Sequence, residues 1–151
     1  MGLFFEEFAP GRDLETGWRT VTAEDIAGFS RLSGDHNPLH HSPEAARAAG
    51  FGAPIAHGVL GIAVATGLVS QAGFTRDTLI ALLEVRWVFR APITAGEDVR
   101  VRLRVAECRE TSRPDRGVVR FDVVVVDRQE RVLQEGVMTE LIRRREPGSR
   151  D

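Results

Sequence analysis

The sequence predicts an α+β fold: an antiparallel β-sheet wrapped around one long central helix at about residues 57–72, with an extra helical overhang at about 22–50. Three observations predict it. Residues 48 to 75 contain no Asp, Glu, Lys or Arg, and their second half, from Gly58 to Ala72, is rich in Val, Leu, Ile and Ala. From about residue 85 onward the apolar residues recur with period two, the spacing of a half-buried strand. Before both, residues 22 to 50 carry two helix starts with N-capping residues.

Taken in order, residues 1 to 10 read as a loose start with a short apolar patch, Leu3-Phe4-Phe5. Residues 16 to 21 are expected to form a strand. Thr22 is then placed to cap a helix, with Glu24 and Asp25 in the first turn and Asp25 at the capping-box position. Ile26, Phe29 and Leu32 share one face of that helix, and Gly34 ends it. Ser42-Pro43-Glu44 starts a second short helix, with Pro at its first position, that stops at Gly50. The central helix begins near His57 or Gly58 and runs to about Ala72. Val85, Trp87 and Phe89 are expected on one side of a strand, with Arg86 and Arg90 on the other. The run from Val99 to Val105 alternates Val or Leu with Arg without a break. Pro92 to Gly96 forms the turn between these two strands. Residues 117 to 127 and 131 to 143 are the last strands, separated by the turn Asp127-Arg128-Gln129-Glu130. Long antiparallel strands with one polar face need a cover for the other, and the apolar helix is that cover.

Composition bounds the function. A chain of 151 residues suffices for one domain with its own core, expected here as a single domain over 1–151, with a core at about 10–145 and short flexible ends. The net charge of −2 gives no electrostatic reason to expect nucleic acid or an acidic membrane as partner. The charge-free stretch is long enough to span a bilayer, but Pro54 and four glycines between 50 and 61 interrupt it, so a buried helix of a soluble protein is the expectation. Met-Gly-Leu-Phe-Phe-Glu-Glu has no basic region before its apolar residues and does not read as a signal peptide. A cytoplasmic location is the default that follows. The single Cys108 has no partner for an internal disulfide and reads as a packing residue in a strand.

The chemistry concentrates in Gly34-Asp35-His36-Asn37-Pro38-Leu39-His40. Pro38 keeps this segment from being a regular helix, so Asp35 and His40, five positions apart, stand on a shaped loop where two side chains can converge. A carboxylate and an imidazole together can hold a water and move its proton near neutral pH. Further on, Pro54-Ile55-Ala56-His57-Gly58 leads into the apolar helix. A helix start presents free N–H groups and partial positive charge, and Gly58 lets an oxygen approach its N–H closely. That is the makeup of an oxyanion hole.

The two segments resemble the motifs of the MaoC-like dehydratases and (R)-specific enoyl-CoA hydratases of the hot-dog superfamily: an aromatic residue (Phe29), a short spacer, G-D-x-N-P-x-H (34–40), and then P-I-x-H-G (54–58). The resemblance covers about residues 10 to 145. It implies a hot-dog domain, a catalytic Asp35–His40 dyad, and a Gly58 N–H that polarises a thioester carbonyl. It further implies reversible hydration of trans-2-enoyl thioesters to the (R)-3-hydroxyacyl form, with no cofactor and no metal. The substrate would be an acyl-CoA or an acyl-carrier-protein thioester. The implied assembly is a homodimer with the acyl pocket at its interface, or a heterodimer with a catalytically silent paralogue. Thr66 occupies the place where the family often carries Ser.

Other readings of these residues stand beside this one. Asp35 can be a turn former. Asn37 is expected to support the loop backbone and His57 to orient it from the helix start. All four histidines, 36, 40, 41 and 57, fall within 22 residues, which raises a metal site, although no two share a helical face. Arg100, Arg102 and Arg104 could meet phosphates, but such a row is more often the solvated face of a sheet. Trp18, Trp87 and Phe51 could line an acyl pocket or belong to the core. A hot-dog thioesterase is a rival activity, yet residues 58–72 contain no Asp or Glu to serve as its helix acid. A non-catalytic acyl-thioester-binding subunit is a second rival.

Overall fold

The alternation at 99–105 becomes the spine of the sheet. In the computed structural model, which describes residues 2–145, strand β4 spans Glu97–Glu110. Val99, Val101, Leu103 and Val105 are all buried on one face, while the intervening arginines point away. Burying each such side chain stabilises the fold by about 1.5–3 kcal/mol. Strands β5 (Arg116–Val126) and β6 (Val132–Arg143) continue the antiparallel ladder, and β3 (Leu79–Phe89) forms the far edge. Two short strands, β1 (Asp13–Glu15) and β2 (Arg19–Val21), both pair with β4 on its other side. The main path is therefore β1-β4-β5-β6-β3.

Helix α3 (Gly58–Ala72) lies in the concavity of this sheet. Leu60, Gly61, Val64, Ala65, Leu68 and Val69 are its buried residues, and all but Gly61 join one core cluster with residues of β4, β5 and β6. Gly61 is required for this approach. A Cβ there would overlap the side-chain amide of Gln134 on β6. The antiparallel sheet wrapped around a central helix at 57–72 is as the sequence predicts.

Helix α1 (Ala23–Ser33) starts with the expected capping box: Asp25 N–H donates to Thr22 Oγ1 at 3.0 Å, and Thr22 N–H donates to Asp25 Oδ2 at 2.9 Å. Those bonds, led by the Thr22 N–H, hold the Asp25 carboxyl below its ordinary pKa. The helix ends at Gly34, whose φ of 77° is left-handed. Helix α2 (Pro43–Ala48) follows, capped by Ser42.

Three expectations need correction. Residues 16–21 are not one strand. Four steps from Glu15 to Arg19 face three steps from Arg102 to Val99, so one residue is extra. The hydroxyl of buried Thr16 takes the Val101 N–H at 3.0 Å and splits the strand there. The N-terminus is not loose either. Gly2 and Leu3 donate to the Arg76 and Phe74 carbonyls, and Phe5, in a 3₁₀ turn at Phe5–Glu7, is buried against Gly117. Finally, the segment after Gly34 contains one 3₁₀ turn, Pro38–His40, which Pro38 starts rather than breaks. Of the expected flexible ends, Met1 and residues 146–151 lie outside the described residues. Among the described residues, no helix is long and apolar enough to cross a membrane.

Candidate active site

Two successive side-chain turns build the loop. Asp35 Oδ1 accepts the Asn37 N–H at 3.1 Å, and Asn37 Oδ1 accepts the Leu39 N–H at 3.1 Å. Asp35 is thus a turn former, yet only one of its oxygens is used. Asp35 Oδ2 faces His40 Nε2 at 3.9 Å and His57 Nε2 at 4.0 Å, beyond direct hydrogen bonding. The Asp35 side chain is half exposed, and that of His40 is mostly buried.

His40 is fixed from behind. Its Nδ1 lies 2.7 Å from the Ile55 carbonyl oxygen. A carbonyl only accepts, so Nδ1 carries the proton and Nε2 turns an open lone pair toward Asp35. The His40 ring stacks on that of His57 with centroids 3.6 Å apart and planes 25° from parallel. Phe29 packs against His57 from another side, at 5.0 Å between centroids.

His57, 2% exposed, ties this stack to the loop. Its Nε2 is 3.0 Å from the Asp35 carbonyl and 3.3 Å from Ser30 Oγ. By the same reasoning Nε2–H is the donor. Ser30, itself 1% exposed, also hydrogen-bonds His41 Nε2 through its hydroxyl at 2.7 Å. His41 and His36 lie on the surface, as expected. Ser30 escaped notice in the sequence because nothing marks a serine on α1 as facing a histidine 27 positions later.

Immediately after His57, Gly58 opens α3 with no side-chain cap. Gly58 is exposed and lines a pocket of about 260 Å³ with Phe51, Ile55, Phe89 and Gln134. Phe89 lies over Gly58 so closely that a Cβ would sit 2.8 Å from its ring. Gln134 is buried and holds this helix start in place: its Nε2 donates to the Gly58 carbonyl at 3.2 Å, and its Oε1 accepts the Trp87 indole N–H at 2.9 Å. This positions Trp87 against the core and leaves Phe51 beside Gly58. Trp18 does neither: its ring packs against the guanidiniums of Arg100 and Arg128.

Thr66 stands apart from this cluster. Its hydroxyl donates to the Ala63 carbonyl of its own helix at 2.9 Å, not to the loop. The arginine row is occupied within the chain. Arg100 and Arg102 both contact Glu15 and Glu130, and Arg104 meets Asp13.

Asp35, His40 and His57 offer donor atoms within 4.8 Å of one another, and their types are those that bind metals. The protonation pattern does not suit a metal. His57 Nε2, the atom aimed inward, keeps its proton on the Asp35 carbonyl and has no lone pair to give. His57 Nδ1 is buried without a partner. The arrangement suits proton transfer better: an ionisable oxygen and an open imidazole nitrogen, both braced, beside an uncapped helix start.

Residues 6–127 match the family described as the MaoC like domain. The chain is 39% identical over 97 residues to the peroxisomal multifunctional enzyme type 2 of Drosophila melanogaster, a match covering 63% of this chain and 16% of that protein. It is 34% identical over 107 residues to the 3-hydroxybutyryl-CoA dehydratase of Methylorubrum extorquens, covering 70% of this chain and 65% of that one. The chain thus spans less than two thirds of either relative. A Mycobacterium tuberculosis protein described as having a double hot-dog fold superposes with a TM-score of 0.85 at 20% identity, over 99% of this chain and 46% of that one. The fold is a hot-dog, and the chain belongs to the MaoC-like domain family.

Proposed function

We propose that this chain is a hydro-lyase that reversibly hydrates trans-2-enoyl thioesters, of coenzyme A or a carrier protein, to (R)-3-hydroxyacyl thioesters. One observation carries the reading: Asp35 Oδ2 and His40 Nε2 face each other at 3.9 Å, and neither atom is held in a direct hydrogen bond among the described residues. One water oxygen can bridge such a gap. His40 Nε2, its other nitrogen committed to Ile55, accepts a proton from that water while Asp35 orients it. The water oxygen bonds to the β carbon, the carbon–carbon double bond shifts, and negative charge builds on the thioester oxygen. The Gly58 N–H and the α3 dipole meet that charge. The α carbon then takes the proton from the dyad, which returns to its starting state. The (R) configuration is the one printed for a relative, the (R)-specific enoyl-CoA hydratase of Aeromonas caviae, 33% identical over 88 residues.

The same reading makes the working unit a homodimer. Strand β3 is an open sheet edge, and Leu82, Leu83, Val88 and Phe89 on it are 44–53% exposed. A long apolar edge of this kind calls for a partner strand.

The test is turnover of crotonyl-CoA and longer trans-2-enoyl-CoA esters, with product identification. Formation of 3-hydroxyacyl-CoA supports the proposal. Release of free coenzyme A instead would point to a thioesterase. A folded dimer that transforms no enoyl thioester, on coenzyme A or on carrier protein, would overturn it.

A further inference from the structure

At the other end of α3 lies a second pocket, of about 460 Å³, that the dyad does not touch. Thr66, Val69 and Ser70 of α3 form one wall, Leu82 of β3 another, and Met138 and Glu140 of β6 its floor. Glu140 is anomalous. It is 6% exposed, sits on a strand between two others, and its Oε2 is buried without any partner. A buried carboxyl oxygen left unpaired at the floor of a pocket can take a hydrogen-bonding partner that enters that pocket. Burial pushes this carboxyl up to about 7, so near neutral pH a large share of it carries its proton and can both donate and accept.

One exposed stripe of the helix runs from the end that carries Gly58 to the end that carries the second pocket. Val59, Ala63 and Ser70 are exposed along it and Thr66 is half-buried. Their spacing of four, three and four residues keeps them on a single stripe. From Gly58 to Thr66 is eight residues, roughly 12 Å along the axis. A thioester whose carbonyl sits at Gly58 can therefore lay its acyl chain along the stripe and reach Glu140.

We infer that the Glu140 pocket receives the distal end of the acyl chain and selects chains that carry a hydrogen-bonding group there, such as a hydroxyl. This rests on the reading of Gly58 as the carbonyl site. Leu82, Val69 and Met138 accept the methylenes, and the Glu140 carboxyl pairs with the hydroxyl. A purely apolar chain end would leave Glu140 unpaired, which is the source of discrimination.

Binding of non-reactive saturated esters tests it: decanoyl-CoA against its ω-hydroxy derivative, by calorimetry on the intact protein. The native chain is expected to bind the hydroxy ester at least about tenfold more tightly. Glu140→Leu should abolish that preference, and Glu140→Gln, whose amide still donates and accepts, should keep it. Equal affinities in the native chain, binding of neither ester, or a preference that survives in Glu140→Leu would each overturn the inference. Crotonyl-CoA is too short to reach Glu140, so its hydration judges the hydratase reading separately.

Discussion

The histidine cluster and the arginine face of β4 are both dense in ionisable groups, and they are built on opposite plans. On β4 each charged head meets an opposite charge: Arg100 and Arg102 share Glu15 and Glu130, Arg104 takes both oxygens of Asp13, and the Trp18 ring packs against the guanidiniums of Arg100 and Arg128. The charges of this face are largely taken up within the chain, although Arg100 Nε is buried unpaired and a pocket of about 520 Å³ lies between Asp13, Glu15, Arg102 and Arg104. In the loop cluster each residue uses one atom for structure and keeps another free. Asp35 spends Oδ1 on the Asn37 N–H and keeps Oδ2; His40 spends Nδ1 on the Ile55 carbonyl and keeps Nε2. The difference teaches that residue type alone does not mark a site. A group braced by one atom and open at the other does.

Substitutions can break this comparison at either region. The largest effect is expected for His40→Ala, which removes the proposed base: hydration of enoyl-CoA should fall by about 10²–10⁴-fold. The melting temperature should change less than for a truncation in the core, because the loss is one hydrogen bond, to Ile55, and the ring stack on His57. Unchanged turnover would remove His40 from the chemistry.

Next is Glu140, whose carboxyl lies up at about 7 in the fold against 4.5 for the free side chain. The folded chain keeps a proton that the unfolded chain releases as pH rises from 4.5 towards 7. This group's contribution therefore favours the fold fully below 4.5 and is lost as pH passes through about 7. The loss is on the order of 3 kcal/mol. Denaturant unfolding of the native chain and of Glu140→Gln should diverge across that window, with Gln the more stable partner at high pH. Parallel pH curves would contradict the burial argument.

Ser30→Ala should cost about 1–3 kcal/mol, since it leaves the buried Ser30 site unable to serve His57 and His41. It should lower turnover modestly by loosening the stack under His40. Arg102→Ala should be the mildest, within about 1 kcal/mol and without effect on turnover, because its ion pairs are largely solvent-exposed. A large loss of activity there would mean that the paired face is a binding surface after all.

What could be read from the sequence was local. The α1 capping box, the central helix, the alternating β4 and the placement of Asp35 and His40 on one loop all depend on residues within one or two turns of each other. What could not be read depends on distant partners. Thr16 breaks a strand because its hydroxyl meets Val101, 85 positions away. Gln134 fixes the start of α3 from 76 positions away, and Phe5 is anchored by Gly117. Thr66 had the right place in the motif, but its hydroxyl satisfies its own helix first. Glu140 carries no mark in the sequence, because the face it takes is set by pairing of β6 with β3 and β5.

The central claim is that the Asp35–His40 pair activates a water against an enoyl thioester. Its most direct test is the initial rate of enoyl absorbance loss from crotonyl-CoA, native chain beside Asp35→Asn. The amide oxygen of Asn can still accept the Asn37 N–H, so the loop geometry is retained while the charge facing His40 is removed. The account predicts rapid hydration by the native chain and at least about a hundredfold loss in the variant, with the fold intact by circular dichroism. Equal rates in the two proteins, or no hydration by the folded native protein, would contradict it.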